Sequence, residues 1–163
     1  MSVSVSYVSN LTVAEALETN VADLSDKSIV HSGFNTALTA SAASTPPATK
    51  VAAGVVNVTS GAGSIDLTSL PLGAQGAAVD FTGLRVQFLK LKAPATNANP
   101  ITISKAVSNG YDGFGAAFSL TLYPGGEQLI RTNDAGNDVG GANKALTLAG
   151  TAAQGIDIEV VAG

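Results

Sequence analysis

The sequence predicts an all-β protein: an antiparallel β-sandwich preceded by an N-terminal arm and one short helix. Three observations carry that prediction. From Ser28 onward, apolar and polar residues alternate in short runs with the period of two that half-buried strands require. Gly, Pro, Asn and Ser clusters divide these runs roughly every eight to fifteen residues, the spacing of a sandwich or barrel. Leu, Ile, Val and Phe make up about a quarter of the 163 residues, above the level of about one fifth below which a charged chain tends to stay disordered.

The elements follow in chain order. Residues 2–8 alternate Ser with Val3, Val5 and Tyr7, so one face of a short strand or arm is apolar. Thr12 stands three residues before Glu15, and Val13, Leu17, Val21 and Leu24 recur at threefold or fourfold spacing, which predicts a capped amphipathic helix near 13–23. The stretch 42–49, containing Pro46-Pro47, has no period and reads as a loop or hinge. Beyond it, shared parity marks one dry face in each run: Val56 and Val58, Ile65 and Leu67, Ile101 and Ile103, Phe118 to Leu122, Leu146 and Leu148, and Ile156 to Val160. In Leu84–Lys92 the parity slips near Phe88, which predicts a β-bulge there. Tyr123-Pro124-Gly125-Gly126 has the Pro and Gly of a type II turn, and the runs on either side are expected to form a hairpin. The chain thus divides into arm and helix over 1–27 and a sandwich of about eight strands over 28–163.

Composition narrows the function. Charged residues are only 12%, about half the usual share of roughly 25%, with Ala, Gly, Ser and Thr in their place. A surface of that kind loses its hydration at low cost and suits permanent subunit contacts, although low-complexity surface loops would have the same composition. The net charge of −4 and the lack of a Lys/Arg cluster argue against nucleic acid. No Cys is present, which excludes disulfides, thiolate nucleophiles and Cys-based zinc sites. The N-terminus has no signal-peptide pattern, and no apolar run approaches the ~20 residues of a membrane span; synthesis in the cytoplasm and no membrane partner are expected.

Catalytic patterns are equally sparse. His31 is the sole imidazole, no Gly-x-Ser-x-Gly elbow accompanies it, and a structural histidine is the expected role. Asp66, Asp80, Asp112, Glu127, Asp157 and Glu159 are the carboxylates on or beside strands that a glycosidase pair would draw on. Several sit at solvent-facing parity, and a chain without Trp and with three Tyr offers few sugar-stacking platforms. Asn133–Asp138 is rich in oxygen ligands but lacks EF-hand spacing and reads as a turn. Gly110–Gly115 is no phosphate cradle, because no Gly-Lys-Ser/Thr follows; its Tyr and Phe are expected to pin a wide loop to the sandwich edge. No catalytic, cofactor, metal or small-molecule site is therefore assigned. Val3, Val5 and Tyr7 are the candidate interaction residues, because an apolar stripe at a chain terminus needs a partner. Its own sandwich could supply one. A spacer made of the helix and the Pro46-Pro47 loop favours instead a neighbouring subunit, joined by β-augmentation.

Leu84-Arg85-Val86-Gln87-Phe88 running into Lys90-Leu91-Lys92-Ala93-Pro94, then Asn99-Pro100-Ile101-Thr102-Ile103, Pro124-Gly125-Gly126-Glu127 and a last strand from Ile156 to Val161 resemble the jelly-roll domains of tailed-bacteriophage virion proteins, above all capsid decoration or cement proteins. The resemblance covers about half the chain, from about Gly83 onward. It implies a jelly-roll-like sandwich and a non-enzymatic structural role on the capsid exterior. It also implies that the partners are the major capsid protein and copies of the chain itself, as a homotrimer, with no catalytic residues to carry over. A receptor- or carbohydrate-binding module of a phage tail or cell surface is the alternative, since jelly rolls serve there too.

Overall fold

The computed structural model describes residues 3–17, 27–31, 36–70, 76–132 and 137–163. Among them run twelve strands: β1 Ser4–Ser9, β2 Val13–Leu17, β3 Lys27–His31, β4 Thr36–Ser41, β5 Lys50–Val58, β6 Ala62–Asp66, β7 Val86–Lys92, β8 Ile101–Lys105, β9 Ser119–Leu122, β10 Glu127–Arg131, β11 Ala145–Ala149 and β12 Gln154–Ala162. The last eight form two four-stranded antiparallel sheets, ordered β10-β7-β12-β5 and β6-β11-β8-β9. Their pairing is nested: β5 lies beside β12, β6 beside β11, β7 beside β10 and β8 beside β9, and successive pairs alternate between the two sheets. The protein is an all-β sandwich.

Alternation makes the core. Ile65, Ile101, Ile103, Leu122, Leu146 and Leu148 from one sheet meet Ala52, Val58, Leu89, Leu91, Ile156, Ile158 and Val160 from the other in a single buried cluster. These are the parities expected from the sequence. Each fully buried Ile or Leu contributes about 1.5–3 kcal/mol over its exposed state, so the two inner faces supply most of the driving force for closure. Asp66, Thr102, Ser104, Thr121, Thr147, Asp157 and Glu159 alternate with them and face outward.

The expected bulge is present. Val161 pairs with Phe88 but Ala162 pairs with Val86, so Gln87 is the extra residue. The slip sends Val86, Leu89 and Leu91 into the core and turns Phe88 to the opposite face. It also breaks the hydrogen-bond ladder at Val86. The N–H of Val86 donates instead to the Tyr111 hydroxyl at 3.2 Å, and its carbonyl accepts from the Thr132 hydroxyl.

Two expectations require correction. The helix near 13–23 is replaced over Val13–Leu17 by β2, which pairs with β3 through Val13↔His31 to Leu17↔Lys27; residues 18–23 lie outside the described residues. Val13-Ala14-Glu15-Ala16-Leu17 carries no apolar–polar alternation, so no period of two marked it as a strand. A helix of three turns is marginal alone, so an available partner strand decides the conformation. The Tyr123–Gly126 turn forms as expected, with Gly125 at φ 81° and the Gly126 N–H bonded to the Tyr123 carbonyl at 2.8 Å. It joins no hairpin. β9 before it belongs to one sheet and β10 after it to the other, so the turn carries the chain across the sandwich.

The N-terminal segment is a ribbon. β1 pairs antiparallel with β4, from Ser4↔Ser41 to Ser9↔Thr36, so residues on both sides of position 27 share one ladder, and the sandwich strands begin at Lys50. The loop at 42–49 is pinned: the Ala48 N–H bonds to the Ser41 carbonyl at 2.9 Å, and Ala48 is fully buried.

Candidate functional site

Val3, Val5 and Tyr7 come together on one face of β1. With Leu38 and Ala40 of β4 and Ala48, they cover Phe88 and Val161 on the outer face of the β10-β7-β12-β5 sheet. The Tyr7 and Phe88 rings lie 5.6 Å apart at a tilt of 37°, a distance at which aromatic pairs attract. The apolar stripe thus has a partner within its own chain. The bulge makes this possible, because it turns Phe88 outward to receive the ribbon.

The rest of that outer face is a charge ladder. Strand register puts Lys92 between Glu127 and Asp157, and Lys90 between Leu129 and Glu159. Such opposed pairs contribute roughly 0.2–1 kcal/mol each and suppress wrong registers. Ala53, Gly54 and Val55 of β5 border the ladder, and together they line a shallow cleft of about 310 Å³.

The other sheet presents a different surface. Register aligns Ser64, Thr147, Ser104 and Ser119 in one row, and Ala62, Ala149, Thr102 and Thr121 in the next. These eight residues carry no charge. Thr102 and Thr121 share a hydroxyl hydrogen bond of 2.9 Å, as do Ser104 and Thr147. Hydroxyls that satisfy one another need little from water, so this face can be covered by another protein at low desolvation cost.

The carboxylates serve turns. Asp66 accepts from the Thr68 N–H at 2.9 Å and hydroxyl at 2.7 Å, and pairs with Lys144 at 2.9 Å. Burial alone would raise its pKa, but the Lys144 and Thr68 hydrogen bonds outweigh it and hold the carboxyl below its ordinary value. Asp80 repeats the motif with Thr82, at 2.8 and 2.6 Å, and Thr82's hydrogen bonds lower its pKa likewise. Asp112 accepts from Asn137 at 2.6 Å and lies 4.0 Å from Lys105. Asp157 and Glu159 share the outer face of β12 within the charge ladder, and Glu127 is exposed on β10.

His31 lies on β3 opposite Val13, with its side chain outside the described residues. Of the Asn133–Asp138 segment, only Asn137 and Asp138 are described, the latter paired with Arg85 at 2.8 Å. Among the described residues, no group of three or more His, Asp or Glu side chains is placed to hold a metal ion. No helix among them is long and apolar enough to cross a membrane.

The Gly110–Gly115 loop does more than pin an edge. Tyr111 is fully buried in the core, edge-on to Phe114 at 5.2 Å, and burial pushes its phenol above its ordinary pKa. Gly113 is required there, because a Cβ would run into the Tyr111 ring.

Comparison of the chain with family models, with curated proteins and with solved structures finds no match. The alternation signalled which residues face outward on both sheets. It could not signal that the hydroxyls form a ladder on one face and the opposite charges on the other, because both depend on register between strands distant in sequence.

Proposed function

We propose that this chain is a non-enzymatic virion structural protein that decorates and stabilises a phage capsid, held on the capsid exterior by contacts with the major capsid protein and with copies of itself as a homotrimer. The observation that carries the proposal is the nested strand order, β5 beside β12 through β8 beside β9, alternating between two four-stranded sheets. Eight strands nested between two sheets in this way support reading the sandwich as a jelly roll, a fold used in viral capsid domains. The two uncharged Ser/Thr/Ala rows on the outer face of the β6-β11-β8-β9 sheet support it, as a surface that costs little to bury against a protein lattice.

Mass spectrometry and electron microscopy of purified particles from cells expressing the chain provide the test. The chain is expected to co-purify with capsids at a fixed copy number and to appear as density on their outer surface. Thr147→Lys, on the neutral face and away from the core, is expected to abolish that association while leaving the free chain folded. A chain that stays in the particle-free fraction overturns the proposal. Glycan-array binding by that free chain would favour a receptor-binding module instead.

A further inference from the structure

We infer that the β5 edge joins two copies of this chain, pairing β5 with β5 of the second copy antiparallel about a two-fold axis at Gly54. β5 is nine residues long and lies at the edge of its sheet, hydrogen-bonded to β12 on one side in an unbroken register from Lys50↔Ala162 to Val58↔Gln154. Among the described residues no strand pairs with its other side; a long edge of unpaired backbone groups is a template for another strand, and proteins normally blunt such edges with charge, Pro, bulges or shortness. The other three sandwich edges are blunted. β9 has four residues, β6 has five and ends in Asp66, and β10 has five and carries a charge at each end, Glu127 and Arg131. β5 has none of these devices apart from Lys50 at its first position.

The occupant follows from the sequence of the edge. Antiparallel pairing about Gly54, the middle residue of β5, sets Lys50 against Val58 of the second copy, Val51 against Asn57, Ala52 against Val56 and Ala53 against Val55. No like charges meet. The two Lys50 residues fall at opposite ends, about 25 Å apart at the rise of a strand, well beyond a Debye length of about 8–10 Å. Val55 is 53% and Val51 36% exposed, and both stand on the outer face beside the open edge, where a paired strand covers them. A glycine inside a strand weakens it and often marks a close approach by another backbone, which the axis at Gly54 provides. A surface patch that pairs with itself closes after two copies, so a homotrimer must be built through a different surface. The contact does not rest on the virion proposal and forms in the purified chain.

Sedimentation and cross-linking of the full chain test it. The wild-type chain is expected to sediment with twice the chain mass at high concentration, or as an even-numbered assembly if a second surface also associates. Val55→Lys adds a charge to the exposed side of the edge; it is expected to remove the two-fold step while leaving circular dichroism unchanged and the melting temperature equal to that of the dilute, unassociated wild-type chain. Because the chain has no Cys, introduced thiols report alone. Ala53→Cys and Val55→Cys chains, mixed and mildly oxidised, are expected to form disulfide dimers about ten-fold faster than either alone, since residues 53 and 55 lie opposite across the axis and equal positions do not. A monomer at every concentration, an oligomer that Val55→Lys leaves intact, or mixed chains that link no faster than single ones would overturn the inference.

Discussion

At Val86 the bulge leaves a buried amide outside the β-ladder, and the phenol of Tyr111 is its acceptor at 3.2 Å. Tyr111→Phe keeps the ring and removes the acceptor, so it isolates that one interaction. A buried donor left unpaired costs about 1–3 kcal/mol, and urea denaturation should show that loss with an unchanged m-value. A loss below about 0.5 kcal/mol would mean that another group accepts the Val86 N–H. Asp66 makes a pH-dependent contribution. Its folded pKa lies below the ordinary value of 3.8, so its stabilisation is present above that value and is lost as pH falls through the lowered one. The wild type should therefore exceed Asp66→Asn in stability at about pH 6, and the gap should shrink toward about pH 2. A gap that stays constant across that range would show that the carboxylate charge is irrelevant and that only the turn hydrogen bonds matter.

The β1–β4 ribbon is the element whose role changes most between sequence and structure. Its Val3, Val5 and Tyr7 rest on Phe88 and Val161, outside the sandwich core. Removal of residues 1–10 should accordingly lower the melting temperature while leaving cooperative unfolding of the sandwich, because the cluster between the two sheets draws nothing from the ribbon. Loss of all cooperative unfolding would place the ribbon within the folding unit of the core. A double-mutant cycle of Tyr7→Ala and Phe88→Ala should give a coupling of about 0.5–1.5 kcal/mol by chemical denaturation. Additive single effects would mean that the two rings are not in contact in solution. The alternation over residues 2–8 was legible in the sequence, as was the need of Val3, Val5 and Tyr7 for a partner. The partner was not, because Phe88 turns outward only after Gln87 is inserted into β7 opposite β12, a register event between strands some seventy residues apart.

Across the whole molecule, β5 near the start of the sandwich pairs with β12 at its end, and β6 pairs with β11 inside that pair. Such non-local pairing must close long loops before it is rewarded. Refolding from urea should therefore occur in milliseconds to seconds, rather than in the microseconds open to helical bundles. Stopped-flow fluorescence of the three tyrosines would check it, and a microsecond phase carrying the full amplitude would contradict the nested pairing. Far-ultraviolet circular dichroism should be strand-dominated. A helix content near one third, ordinary for soluble domains, would contradict the fold.

By itself the sequence determined the fold class, the inward parity of each sandwich run, the bulge near Phe88 and the Tyr123–Gly126 turn. Each of these is local: alternation, a slip in alternation, or Pro and Gly at positions where the backbone demands them. Tertiary structure alone decided the conformation of Val13–Leu17, the sheet change at the turn, the seat of the ribbon and the two contrasting outer faces. Val13–Leu17 carries the fourfold spacing of a helix, and it is pairing with β3 that makes it a strand. The remaining three depend on which strands become neighbours and in what register, which is set by the collective packing of side chains between two sheets and by no short stretch of sequence.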